Sequence, residues 1–171
     1  YVVLGDIDAA RQTLSDLERS AGVLLRRDPT GWFAKTYLSR LEQGRGLFAH
    51  AVGKYAQAEM HFRQAANALE DYIALTPRIP ASAGRPAPVS SQKARLEMLL
   101  VSLSRAQAAQ GNFADAEITL REALKSALLE RGLDHVVTRA VVIAMASLLN
   151  QTGRFSESEA LLRNTADTLR S

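Results

Sequence analysis

Three histidines, eighteen carboxylates and a few glycine clusters are the residues of this chain whose types could support catalysis or bind a metal or phosphate. The histidines are His50, His61 and His135, and no two stand at the spacing that brings paired imidazoles onto one metal ion. There is no cysteine, which excludes disulfides, thiolate metal sites and cysteine nucleophiles. Gly44-Arg45-Gly46 lacks the later glycine and the strand–turn–helix setting of a dinucleotide loop. Gly53-Lys54 is followed by Tyr55 rather than Ser or Thr, and no glycine precedes it at the spacing of a phosphate loop. No Gly-x-Ser-x-Gly elbow is present. Glu117, Glu122 and Glu157 read as residues of solvated helix faces, His61 as an exposed helix residue, and His135 as part of a turn into a helix. Asn150-Gln151-Thr152 fits a glycosylation acceptor by spacing alone, a pattern too short to carry weight. The expectation is therefore no enzyme, no metal and no cofactor.

The chain is rich in Ala and Leu, 47% apolar overall and 6% aromatic, which points to helices with enough apolar surface for a core. A corner sequence recurs: Gly53-Lys54-Tyr55-Ala56-Gln57-Ala58-Glu59, Gly111-Asn112-Phe113-Ala114-Asp115-Ala116-Glu117 and Gly153-Arg154-Phe155-Ser156-Glu157-Ser158-Glu159. Gly5-Asp6-Ile7-Asp8-Ala9-Ala10 is a weaker copy. Each glycine suits a helix C-terminus, where a left-handed residue ends the helix. The aromatic or Ile two residues later opens a new amphipathic helix, as in Phe113, Ala116, Leu120, Ala123 and Leu128. Before each corner runs another such helix, for example Phe33, Tyr37, Leu41, Gly44, Phe48 and Val52.

Helices are expected near 6–26, 31–51, 54–75, 91–110, 113–131, 135–151 and 155–170, with residues 1–4 as the stump of an earlier helix. The fold class that follows is all-α: a right-handed superhelical α-solenoid of antiparallel helix pairs, about seven helices in three to four repeats. One solenoid fragment is expected to fill 1–171, as a partial repeat over 1–26, repeats over 31–75, 91–131 and 134–170, and a loop over 77–91. Pro77, Pro80, Pro86 and Pro88 with Gly84 make that loop unable to continue a helix, and it reads first as a tolerated surface insertion.

Charge narrows the partners. The formal excess is only +3, and the pI near 9.5 reflects many arginines in a nearly neutral chain. Basic and acidic residues alternate along every segment, unlike the single basic stripe of a nucleic-acid module. Arg78, Arg85, Lys93 and Arg95, with no acid between Asp71 and Glu97, are the one local bias. No apolar run approaches the roughly 20 residues needed to span a bilayer. The compartment stays open, with the cytoplasm as the default.

The corners and their helices resemble the tetratricopeptide repeat. Residues Gly111 to Arg163 resemble its kinesin-light-chain-like variety, found in many bacterial proteins, through G-N-F-A-D-A-E-I-T-L-R-E-A-L, Gly132-Leu133-Asp134-His135 and G-R-F-S-E-S-E-A-L-L-R. The intervals between corner glycines are 48, 58 and 42 residues, longer than the common period of about 34. Two departures stand out: Val136 where that variety usually has Pro, and Ile143-Ala144 where it often has an Asn pair. The Lys and Asn set that clamps a peptide carboxylate in some members is replaced by Gln43, Leu47, Val101, Arg105, Ile143 and Ser147.

The resemblance implies a protein-interaction scaffold, a segment of a larger multidomain protein that binds a partner peptide or helix in a concave groove lined by the first helix of each pair. The alternative it implies is a regulatory sensor arm that controls an attached enzymatic or DNA-binding domain. The groove candidates are Arg40, Gln43, Leu47 and His50, then Met98, Val101 and Arg105, then Ile143, Ser147 and Asn150. Apolar positions there would supply desolvation and the arginines would anchor acidic or carbonyl groups. The expected partner is a protein or peptide, with no nucleic acid and no membrane, and with homodimerisation through exposed solenoid ends as a further expectation.

Overall fold

Ala, Leu, Glu, Gln, Lys and Arg fill the segments between corners, and each such segment forms a helix. The computed structural model describes residues 6–27, 31–78 and 87–168. Its α-helices are α1 (Ile7–Arg27), α2 (Trp32–Ala51), α3 (Tyr55–Leu75), α4 (Val89–Ala109), α5 (Phe113–Arg131), α6 (Val136–Gln151) and α7 (Phe155–Thr168), with no strand among the described residues. The all-α helical-repeat class read from the sequence holds. The chain divides into two compact units, residues 1–92 and 93–171.

The first unit is built on the α2–α3 hairpin. Gly53 turns the chain at φ 76°, so its N–H reaches the His50 carbonyl at 3.1 Å and the Lys54 N–H reaches that of Ala49 at 2.8 Å. These bonds satisfy carbonyls that the end of α2 would otherwise leave open. The two helices run antiparallel, since Lys35 at the start of α2 meets Asp71 near the end of α3 at 2.6 Å. Gly46 makes the crossing close: a Cβ there would lie 2.7 Å from the Phe62 ring. Phe62, Leu69 and Tyr72 are sealed at 1%, 0% and 1% exposure. Helix α1 begins on Asp6, whose carboxylate accepts the Ala9 N–H at 2.9 Å as an N-cap. It packs on α2, with Leu14 and Leu17 beside Gly44 and Glu18 paired to Arg45 at 3.0 Å.

The second unit repeats the same device. Gly111 and Gly153 stand at φ 82° and 75°, each with the same pair of backbone bonds into the preceding helix. The residue five after each corner glycine is small and buried: Ala58, Ala116 and Ser158 at 0%, 0% and 2%. Ser158 places a hydroxyl where the others have a methyl, and it donates to the Ala146 carbonyl at 3.1 Å, which satisfies the buried polar group. At the open end of the α4–α5 hairpin, Lys93 pairs with Glu130, as Lys35 pairs with Asp71 in the first unit. Beside it Glu97, 1% exposed, accepts from Ser126 Oγ at 2.8 Å and from the Arg131 guanidinium. Gly132, at φ 73°, ends α5, and the His135 Nδ1 accepts the Val137 N–H at 3.2 Å to cap α6.

Four details differ from the sequence expectation or fall outside it. Helix α4 starts at Val89, two residues early, because the Pro88 carbonyl accepts the Ser91 and Gln92 N–H groups and proline suits the first turn of a helix. Pro77 and Arg78, expected as the start of the Pro-rich loop, join Thr76 in a 3₁₀ turn that prolongs α3. Tyr72 donates to the Ala87 carbonyl at 3.3 Å and so ties the last part of the inserted segment to α3. Residues 79–86, and the expected helix stump at 1–4, lie outside the described residues.

Two stability outcomes follow. Gly46→Val forces a branched side chain into the Phe62 ring and should cost about 1–3 kcal/mol in urea unfolding, with part of that loss relieved in a Gly46→Val/Phe62→Ala double variant. Arg131→Met strands a buried carboxylate at Glu97 and should cost about 3–5 kcal/mol, whereas Glu97→Leu/Arg131→Met removes both charges and should recover most of it.

Candidate functional site

The first helix of each pair turns one face to its own hairpin and leaves another outward, and nine of the ten groove candidates lie on that outward part. On α2, Arg40 and Leu47 are exposed, and Gln43 and His50 are half-buried. The His50 ring meets Tyr55 edge-on at 5.2 Å across the corner. On α4, Met98 and Arg105 are exposed. On α6, Ile143, Ser147 and Asn150 are exposed, Ile143 at 61%. Val101 is the correction: it is 1% exposed and belongs to the core of the second unit, so it presents nothing to a ligand. Its spacing from the corner is that of Ile143, but its surroundings cover it.

Three of the candidates come together. Ile143, Ser147 and Asn150 line an open depression of about 540 Å³ on the α6–α7 hairpin, with Ala146, Gln151 and Leu162. Leu162 stands nine residues after its corner glycine, Gly153. It occupies the place of Phe62 and Leu120, which are 1% exposed, yet it stands 43% exposed. A second cavity, of about 360 Å³, lies between α2 and α3 beside Lys35, Leu38, Glu42, Gln64, Asn67 and Asp71, away from every groove candidate.

The charged residues bind one another instead of converging on a reaction centre. His61, expected as an exposed helix residue, is part-buried, and its Nδ1 lies 2.6 Å from the buried Glu42. Glu42 also takes Arg45 at 2.8 Å, so a chain of polar contacts links α3 through α2 to Glu18 on α1. Partial burial works against the Arg45 charge, but its bonds to Glu18 and Glu42 outweigh this and raise its pKa. Glu117, expected on a solvated face, is half-buried and bridges Arg121 at 2.5 Å and Arg154 at 2.7 Å. Glu122 and Glu157 are exposed as expected. The basic cluster read around the Pro-rich segment loses Lys93 to Glu130. Among the described residues, no group of three or more His, Cys, Asp or Glu stands close enough to hold a metal ion. No described helix is long and apolar enough to cross a membrane.

Helix–turn–helix hairpins with glycine corners, small residues at the crossings and no converging reactive groups define a helical-repeat protein. The family model described as "Tetratricopeptide repeat" matches residues 98–122, from the middle of α4 through the Gly111 corner into α5. This match supports the tetratricopeptide family, whose repeats mediate protein–protein interactions. No curated protein matches the chain.

Arg154 sits at the last corner between Glu157 and Glu117, and its pKa is raised by hydrogen bonds to both carboxylates. The hydrogen bond from Arg154 holds Glu157 below the usual glutamate pKa. A carboxylate depressed on folding supports the fold above its unfolded pKa, and that support fades as pH falls through the folded value. Carboxyl titration by NMR should find Glu157 below an unpaired glutamate, and Arg154→Gln should bring its midpoint back up.

Proposed function

We propose that this chain is a protein-interaction scaffold that holds a partner peptide or helix on the outward faces of its first helices and performs no catalysis of its own. The observation that carries this reading is the exposure of large apolar side chains at Leu47, Met98 and Ile143, at 42%, 37% and 61%, on helices whose other faces are sealed. Isolated exposed apolar residues are ordinary. Here each lies on the first helix of a pair, the helix that family resemblance assigns to the binding side. Arg40 and Arg105, also exposed on those helices, supply forked donors for carboxylates or peptide carbonyls. Within the family, the stretch from Gly111 to Arg163 is read as the kinesin-light-chain-like variety, on its corner residues and its 42-residue interval.

A partner held this way loses its contact when the apolar anchors become charged. Capture of a native partner by the wild-type chain should fall to background with the triple variant Leu47→Glu, Met98→Glu, Ile143→Glu. Helical circular dichroism and the thermal midpoint should change little, because all three side chains are already exposed. Undiminished capture by a folded triple variant would refute the assignment of these faces.

A further inference from the structure

We propose that the cavity between α2 and α3 binds a guanidinium group carried on an aliphatic stem, the head of an arginine. The site lies away from every groove candidate and does not rest on the scaffold reading.

The cavity, of about 360 Å³, is at the small end of ligand pockets and suits one side chain or a small molecule. Lys35, Leu38 and Glu42 line it from successive turns of α2, and Gln64, Ala68 and Asp71 from successive turns of α3. Leu38 and Ala68 give it an apolar wall. Gln64 and Asn67 stand exposed along its α3 side.

Charge decides the sign of the ligand. At the open end of the hairpin Lys35 and Asp71 cancel one another, 2.6 Å apart. Away from that end Glu42, 5% exposed, accepts from Arg45 at 2.8 Å on one oxygen and faces His61 Nδ1 at 2.6 Å on the other. Arg45 is itself divided, since its Nε donates to Glu18 on α1 at 3.0 Å. Two carboxylates thus draw on one guanidinium. With His61 neutral, Glu18, Arg45 and Glu42 together carry one negative charge in excess. A carboxylate offers about four acceptor positions, and Glu42 uses two of them among the described residues. An anion in the cavity would meet this carboxylate, and a neutral ligand would leave the excess in place. A cation cancels it at a site shielded from bulk water, where the attraction is stronger than at the surface.

Shape then selects among cations. Glu42 on α2 and the amide oxygens of Gln64 and Asn67 on α3 are acceptors on two walls of one cavity. A guanidinium presents five donors in a planar fork and can serve both walls at once, whereas an ammonium is a compact, strongly hydrated point charge. The aliphatic stem finds its apolar contact on Leu38 and Ala68.

The probe is N-acetyl-arginine amide, titrated into the intact chain at about pH 8, where an imidazole is ordinarily neutral. N-acetyl-citrulline amide, of similar shape and uncharged, is its control. The arginine compound should give saturable NMR shifts at Glu42, Gln64 and Asn67. The citrulline compound should bind about tenfold more weakly or not at all, the loss of a charge-assisted hydrogen bond. Asn67→Lys sets a fixed cation beside the cavity and should abolish saturation, with the fold kept because Asn67 is exposed. Glu42→Gln should also abolish it, but it loosens Arg45 and His61 as well, so Asn67→Lys decides. Ile143→Glu should leave binding unchanged. Absence of saturable binding overturns the proposal, as does equal binding of the citrulline compound or indifference to Asn67→Lys. An acetylated, amidated Gly-Gly-Arg-Gly-Gly peptide compared with free arginine then separates the sources. Tighter binding of the peptide supports the site as one for a partner's arginine, and tighter binding of free arginine supports it as one for a small molecule.

Discussion

At Gly53, Gly111 and Gly153 the backbone turns through φ of 76°, 82° and 75°, a region that side-chain-bearing residues rarely occupy. Everything after each turn depends on it. The two backbone bonds it allows end the first helix and launch the second from one fixed place. The residue five positions on then falls at the helix crossing, where Ala58, Ala116 and Ser158 are buried without remaining space. Gly46, Ser104 and Ala146 answer from the first helix, at 2% and 3% exposure for the last two. Close crossing brings the large residues beside it, Phe62 and Leu120, into full burial, where each side chain contributes about 1.5–3 kcal/mol by leaving water.

Most of the fold is legible in the sequence because these requirements are local. Glycine followed two residues later by an aromatic, and apolar residues at spacings of three and four, place all seven helices to within two residues of their observed bounds. Where the reading slips, the cause lies across space. Glu97, Glu42 and His61 sit on helix faces that look ordinary along the chain. Glu97 meets Arg131, and Glu42 meets His61, only once the hairpin closes. Val101 and Ile143 hold equivalent places in their repeats, yet one is sealed and the other open. Exposure on a repeat is decided by what packs on it next, which the repeat's own residues do not encode. For that reason the outward faces of α2 and α6 could be read from the sequence, and the depression beside Leu162 could not.

Charge pairs recur at matching places in the repeats. Glu59–Arg63, Glu117–Arg121 and Glu159–Arg163 place the same pair four residues apart on each second helix. Such pairs are worth about 0.3–0.5 kcal/mol each, so their recurrence matters less for stability than for keeping the second helices' surfaces polar and charge-balanced. The buried Glu97–Arg131 pair acts differently. A buried ion pair adds little net stability, but it penalises any register that separates the partners. Arg139 is the one charged residue of α6, and the stretch from Ala140 to Gln151 is neutral.

The same backbone device carries different side chains at its outward positions. Ten residues before the corner glycine the chain has Gln43, Val101 and Ile143, and six before it Leu47, Arg105 and Ser147. Three before it stand His50, Ala108 and Asn150. Val101 is sealed at 1% exposure and belongs to the core; the others are not required by the corner or by the crossing. Substitution there alters what a hairpin presents without altering how it folds, which is the physical condition for a surface that recognises partners by combination.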